Sequence, residues 1–156
     1  VSEPGKGGIV DGLRLFADIV RFRKGPEDLP VSVALLGLAV GGAIVLRVLL
    51  LGVLPLPEGG NPVVVIGIGV GVTLLFLWLL LRLAGHPERY TQTASAMFGY
   101  QVVMAPLLIG TGWLFLTVGE NSAWQLPAML LRMVVEVWAL AIAARILRSA
   151  TGWPLF

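Results

Sequence analysis

The chain has 156 residues, of which 57% are hydrophobic and 13% charged, against roughly 45–50% and about 25% in soluble globular domains. That is too little charge to cover a water-soluble fold of this size. The net charge of +2 and a pI near 9.5 do not point to nucleic acid, because the Lys and Arg residues flank apolar runs instead of forming one patch. With no cysteine, thiolate metal sites and thiol nucleophiles are excluded.

Residues 1–7 read as a leader. The chain opens on Val1 with no initiator Met, as a processed start would, and no cleavable signal is visible: the first long apolar stretch begins near Val31 and is too long for a signal peptide. From Gly8 to Lys24 a helical period appears. Ile9, Leu13, Phe16 and Val20 form an apolar stripe, and Asp11, Arg14, Asp18 and Arg21 occupy the opposite face in alternating sign. Gly25-Pro26 is the expected stop. On one reading such a segment is an in-plane interfacial helix or a docking surface for a partner; on the other it is a helix that packs its apolar face on the protein's own bundle. Its large amphipathicity and basic end favour the first. Residues 1–30 are accordingly read as a cytoplasmic leader, and 31–156 as a four-span transmembrane domain.

Four apolar segments follow, at 31–54, about 62–84, about 94–118 and about 124–148. Each exceeds the roughly 20 residues needed to cross a bilayer. The fold class expected is therefore all-α: a polytopic four-helix transmembrane bundle preceded by an amphipathic interfacial helix. The connections, centred on Pro55–Pro62, Gly85–Thr93 and Gly119–Ser122, are short, which makes successive helices antiparallel neighbours. Basic residues number five before the first span, then none, two (Arg82, Arg89), none, and two (Arg145, Arg148). This alternation places both termini in the cytoplasm. Trp113 and Trp124 at one boundary and Trp153 at the other fit interfacial anchors.

Gly37 with Gly41 and Gly67 with Gly71 are small residues four apart, a spacing that allows membrane helices to approach closely. Contact between spans one and two is the expected use, with homodimerisation as the alternative. The run Gly67-Ile-Gly-Val-Gly71 follows no strand and lies in an apolar span, so it is not a nucleotide loop. Pro106 is expected to kink the third span, as a packing feature.

Of the charges within the spans, Arg47, Arg132 and Glu136 are the most informative. At about 1.5 Å per residue they fall roughly 10, 12 and 18 Å from the outer ends of their helices. All three are expected to meet in the outer half of the bilayer, where charge is costly and must be paired or face a wet cavity. The cluster is either an interhelical clamp, the favoured reading, or a pocket for an anion or a proton. His86 stands without other His or Cys, so no metal site is expected. No nucleophile lies beside a base, and no Gly-x-Ser-x-Gly elbow occurs. Neither a cofactor nor an enzymatic activity is indicated.

The stretch Leu83-Ala-Gly-His-Pro-Glu-Arg-Tyr-Thr-Gln-Thr-Ala-Ser-Ala-Met-Phe-Gly-Tyr100 with Met104-Ala-Pro106, and Trp138-Ala-Leu-Ala-Ile-Ala-Ala-Arg-Ile-Leu-Arg148, resembles the bacterial branch of the Ypt-interacting-protein (Yip) family. The resemblance covers about half the chain. That family usually has five spans and this chain shows four, so either one is absent here or the C-terminus has been cut. Eukaryotic relatives engage small prenylated GTPases, but no residues here match those that would carry this. What the resemblance implies is a non-enzymatic membrane protein of scaffolding or trafficking type, in a bacterial plasma membrane. The short loops and absent catalytic motifs point to a scaffold or accessory protein binding lipids, other membrane proteins or itself. A small transporter or channel using Arg47, Arg132 and Glu136 is the alternative. A lipid-modifying enzyme is a third reading for which no dyad is found.

Overall fold

The computed structural model describes residues 8–51, 61–118 and 122–153, and side chains among them at 12–50, 61–118 and 122–153. The leader 1–7, the side chain of Ile9, most of the first loop and residues 119–121 of the third lie outside that description. The described chain is helical: α1 (Gly8–Val20), α2 (Val33–Leu51), α3 (Pro62–Leu83), α4 (Tyr90–Thr117) and α5 (Gln125–Thr151), with single 3-10 turns at Pro26–Asp28 and Pro87–Arg89. No strand occurs among the described residues. Helices α2 to α5 are each long and apolar enough to cross a membrane, which makes this an integral membrane protein with an all-α fold.

α4 is the hub. It packs most extensively on α2 and α5, and next on α1, whereas α2 and α5 barely touch one another. Phe98 and Met104 of α4, Ile142 and Ile146 of α5 and Leu77 and Leu81 of α3 are buried to within 1%. Between lipid-embedded helices this burial stabilises by packing more than by escape from water, since lipid tails are as apolar as leucine.

The helix boundaries depart from expectation at two places. α1 stops at Val20 instead of running to Lys24. Phe22 takes the left-handed conformation, with φ +59°. Its N–H donates to Ile19 O (3.0 Å) and that of Arg23 to Asp18 O (2.9 Å). This is the Schellman stop, built on a residue other than the usual glycine. In addition, Tyr90–Thr93, expected to be loop, is the first turn of α4. The Thr93 and Ser95 hydroxyls donate back to the carbonyls of Arg89 and Thr91. Hydrophilic residues thereby enter the helix with their polar groups satisfied, and both side chains are fully buried. At the other end of the chain α5 continues past Arg148 to Thr151. It is closed by Gly152 at φ +67°, whose N–H donates to Arg148 O. α4 runs as one helix through Pro106.

α1 packs chiefly on α4. Gly12 sits beside Leu35 of α2 and Phe16 rests on Gly99 of α4. Phe22, just beyond the helix, lies under the guanidinium of Arg145 on α5, 5.4 Å from it. Phe16, Ile19 and Val20 are buried, Leu13 is half-exposed, and Arg14 and Arg21 face outward. Its apolar residues therefore pack on the protein's own bundle, the second of the two readings.

Candidate functional site

The intramembrane charges do not meet as a trio. Arg132 and Glu136, one turn apart on α5, form an ion pair at 2.8 Å, and the Arg132 guanidinium lies over the Phe115 ring of α4 at 5.6 Å. Their side chains remain 39% and 49% exposed, so the pair is turned outward from the bundle. Arg47 is separate because α4 stands between α2 and α5. Its Nη2 donates to Gln101 Oε1 of α4 at 3.3 Å. Its Nη1 lies 3.2 Å from where a side chain on Gly69 of α3 would begin. The missing Cβ at Gly69 is what leaves room for the guanidinium. Arg47 and Gln101 border a cleft of about 320 Å³ whose other walls are Ala43, Leu46, Leu50, Ala105 and Leu108.

The glycine pairs also behave differently from expectation. Around Gly37, Gly41, Gly67 and Gly71 nothing lies within 4 Å of where a side chain would start. The α2–α3 contact expected through them is not made, because both pairs face away from the neighbouring helix. Close approach is carried instead by Gly42, against Val102, and by Gly99, against Phe16.

At the end of the bundle where α4 begins and α5 stops, a polar clasp ties the N-terminal segment down. Arg89 Nη1 donates to the carbonyls of Ser149 (3.1 Å) and Ala150 (3.4 Å), which lie in the last turn of α5. Gln92 Nε2 donates to Leu29 O at 2.7 Å. The Ser149 hydroxyl donates to Glu27, and Arg145 Nη1 donates to Phe22 O at 2.6 Å. Free carbonyls at a helix C-terminus favour cations, which is the position Arg89 takes. Sequence reasoning counted Arg89 and Arg145 only as topology signals and passed over Gln92, Gln101, Phe22 and Gly69. An amide inside an apolar span, as at Gln101, is the one signal that marks such a position in advance, because it must find a polar partner.

His86 Nδ1 lies 3.3 Å from Glu88, and no cluster of metal-ligating side chains occurs among the described residues. The geometry offers two things: an outward ion pair on α5, and a lone guanidinium in an apolar cleft between α2 and α4. Neither has a nucleophile beside it. The two together define a membrane-integral helical protein that carries charge within its apolar helices. No protein family, curated protein or solved structure matches the chain.

Proposed function

We propose that the protein is a non-enzymatic membrane scaffold or accessory subunit that binds other membrane proteins laterally. Its seat is a bacterial inner membrane, with both termini cytoplasmic and α1 in the plane of the cytoplasmic face. The alternation of basic residues supports the orientation. The apolar stripe and alternating charges of residues 8–24 support the placement of α1 at that face, and the Yip-like segments support the general class.

The observation that carries the reading is the outward Arg132–Glu136 pair. At 1.5 Å per residue the two lie about 10 and 16 Å from the start of α5 at Gln125, too deep for both to reach an interface. Charged groups inside a membrane face protein or water, not lipid tails. That face of α5 is therefore one that a protein neighbour covers. The transport reading has less behind it, since it relied on Arg47 joining the other two.

The test is photo-cross-linking in native membranes from Met133 and Leu140, on the charged face of α5, with buried Ile142 as control. A discrete protein adduct is expected from the first two positions, lost when Arg132 and Glu136 are both replaced by Leu. Lipid adducts alone at every position would sink the reading.

A further inference from the structure

We infer that the cleft around Arg47 receives a carboxylate carried on a transmembrane helix of a partner protein. This rests on the accessory-subunit reading and names the chemistry of the partner.

Arg47 is the one ionisable residue of α2. It lies four residues before Leu51, about 6 Å from that end of the helix. An arginine so placed ordinarily snorkels to the interface. This one points the other way. Its Nη1 is level with Gly69, about 10 Å into α3 from Pro62 by the same rise. Its Nη2 meets Gln101, close to the middle of α4. Side chains on helices tilt toward the N-terminus, and Gln101 holds this one there.

A guanidinium carries five N–H donors and no acceptor. Among the described residues its hydrogen-bond partner is Gln101 Oε1, and no carboxylate lies within 4.0 Å of it. Among the same residues no side-chain nitrogen or oxygen is both sealed off and unpartnered, so its remaining donors are not closed inside the bundle, and the residue borders the cleft. Because Gln101 spends its oxygen on Arg47, its amide N–H groups are left to donate as well. The two side chains form a receptor for an oxyanion, set in walls of Ala and Leu.

Depth selects the source of that oxyanion. The hydrocarbon core is about 30 Å thick, so a site about 10 Å inside it lies well below the phospholipid phosphates. A lipid headgroup would have to leave water to reach it, and a free anion would need an aqueous path past apolar walls. A carboxylate on a transmembrane helix is delivered at whatever depth the helix places it. Inside the membrane, acids and bases pair with one another.

The experiment uses the full chain in phosphatidylcholine vesicles with fluorescently labelled polyleucine helices. These carry a single Glu at the depth of Gly69, the same Glu moved by two turns, Gln, or no polar residue. Energy transfer to the labelled protein reads association. The matched Glu helix is expected to bind at least about tenfold tighter than the all-Leu helix. The preference should disappear in Arg47→Gln and largely survive in Arg47→Lys. Equal binding of all four helices to a protein whose thermal unfolding is unchanged overturns the inference. So does displacement of the Glu helix by phosphatidylglycerol, or by inorganic phosphate, since either makes the occupant a lipid or a free anion. Self-association of the chain that is lost in both Arg47→Gln and Glu136→Gln supports it, and makes the partner helix α5 of a second copy. Cross-links from α5 do not depend on Arg47, so failure here leaves the scaffold reading to its own test.

Discussion

Gly99→Ala is the smallest change that tests how α1 is held. A methyl group built on Gly99 would lie 2.2 Å from Cε1, 2.3 Å from Cδ1 and 2.6 Å from Cγ of Phe16. Carbon atoms rest at about 3.5–4.0 Å, so the ring would have to retreat by more than about 1 Å from a site where it is only 5% exposed. The obstacle is the flat of an aromatic ring, not the end of a flexible chain, and α1 must shift with it. Overpacking of this kind costs about 1–3 kcal/mol. Little hydrophobic penalty is added where the displaced ring meets lipid, because lipid receives it as readily as protein does. The assay is thermal unfolding in nanodiscs beside limited trypsinolysis at Arg21, Arg23 and Lys24, which follow α1. Gly99→Ala should lower stability by about 1–3 kcal/mol and speed cleavage after those residues. With Phe16→Ala the clash has no second party, so adding Gly99→Ala to it should cost nothing further. That is strong non-additivity for two residues in contact. A neutral Gly99→Ala, or costs that simply add, would refute the packing of α1 on α4.

Phe22 holds a left-handed conformation that a bulky residue adopts at a cost of about 1–3 kcal/mol. Phe22→Gly and Phe22→Ala lose the same ring under Arg145, but only glycine relieves the backbone. The glycine variant should therefore melt higher, by about 1 kcal/mol in stability, and equal melting temperatures would show that the Schellman stop does not form. Arg89→Leu removes two hydrogen bonds from a cation to the last turn of α5. A loss of about 1.5–3 kcal/mol is expected, with faster amide exchange confined to the end of α5 and the N-terminal segment. Uniform exchange along α5 would contradict the clasp.

The four spans were legible because their signal is length and apolarity: 31–54, 62–84, 94–118 and 124–148 each overlap most of one helix, Val33–Leu51, Pro62–Leu83, Tyr90–Thr117 and Gln125–Thr151. Boundaries were less legible where local geometry overrode composition. Nothing in Arg21-Phe22-Arg23 announces a helix stop, since the left-handed residue is a phenylalanine. Nothing in Tyr90-Thr-Gln-Thr93 announces a helix, since its hydroxyls are satisfied by carbonyls one turn back. The charged residues were found, but their grouping was not. Depth along each helix follows from the rise per residue, and depth alone made Arg47, Arg132 and Glu136 neighbours. Azimuth follows from packing order, and it was α4, between α2 and α5, that separated them.

That separation bears on why the bundle carries charge at all. If the three residues were an internal clamp, their energy would hold the monomer together and their outer surfaces would be apolar. Instead the contacts that join helices run mainly through other residues. They are the Arg89 and Gln92 bonds at one end, the ring of Phe16 on Gly99, and the close approach of Gly42 to Val102. Arg132 pairs with Glu136 one turn on and lies over Phe115 of α4, and Arg47 reaches a neutral amide of α4, so neither ties α2 to α5. A charge whose contacts within the bundle are one hydrogen bond to a neutral amide or one aromatic face, and which yet sits in the costliest part of the solvent, has its main return elsewhere, in what it recognises from outside the chain. An Arg47→Leu, Arg132→Leu, Glu136→Leu triple variant should therefore unfold no more easily than the natural protein in nanodiscs, while losing its partners. If it were markedly less stable, the charges would be fasteners after all.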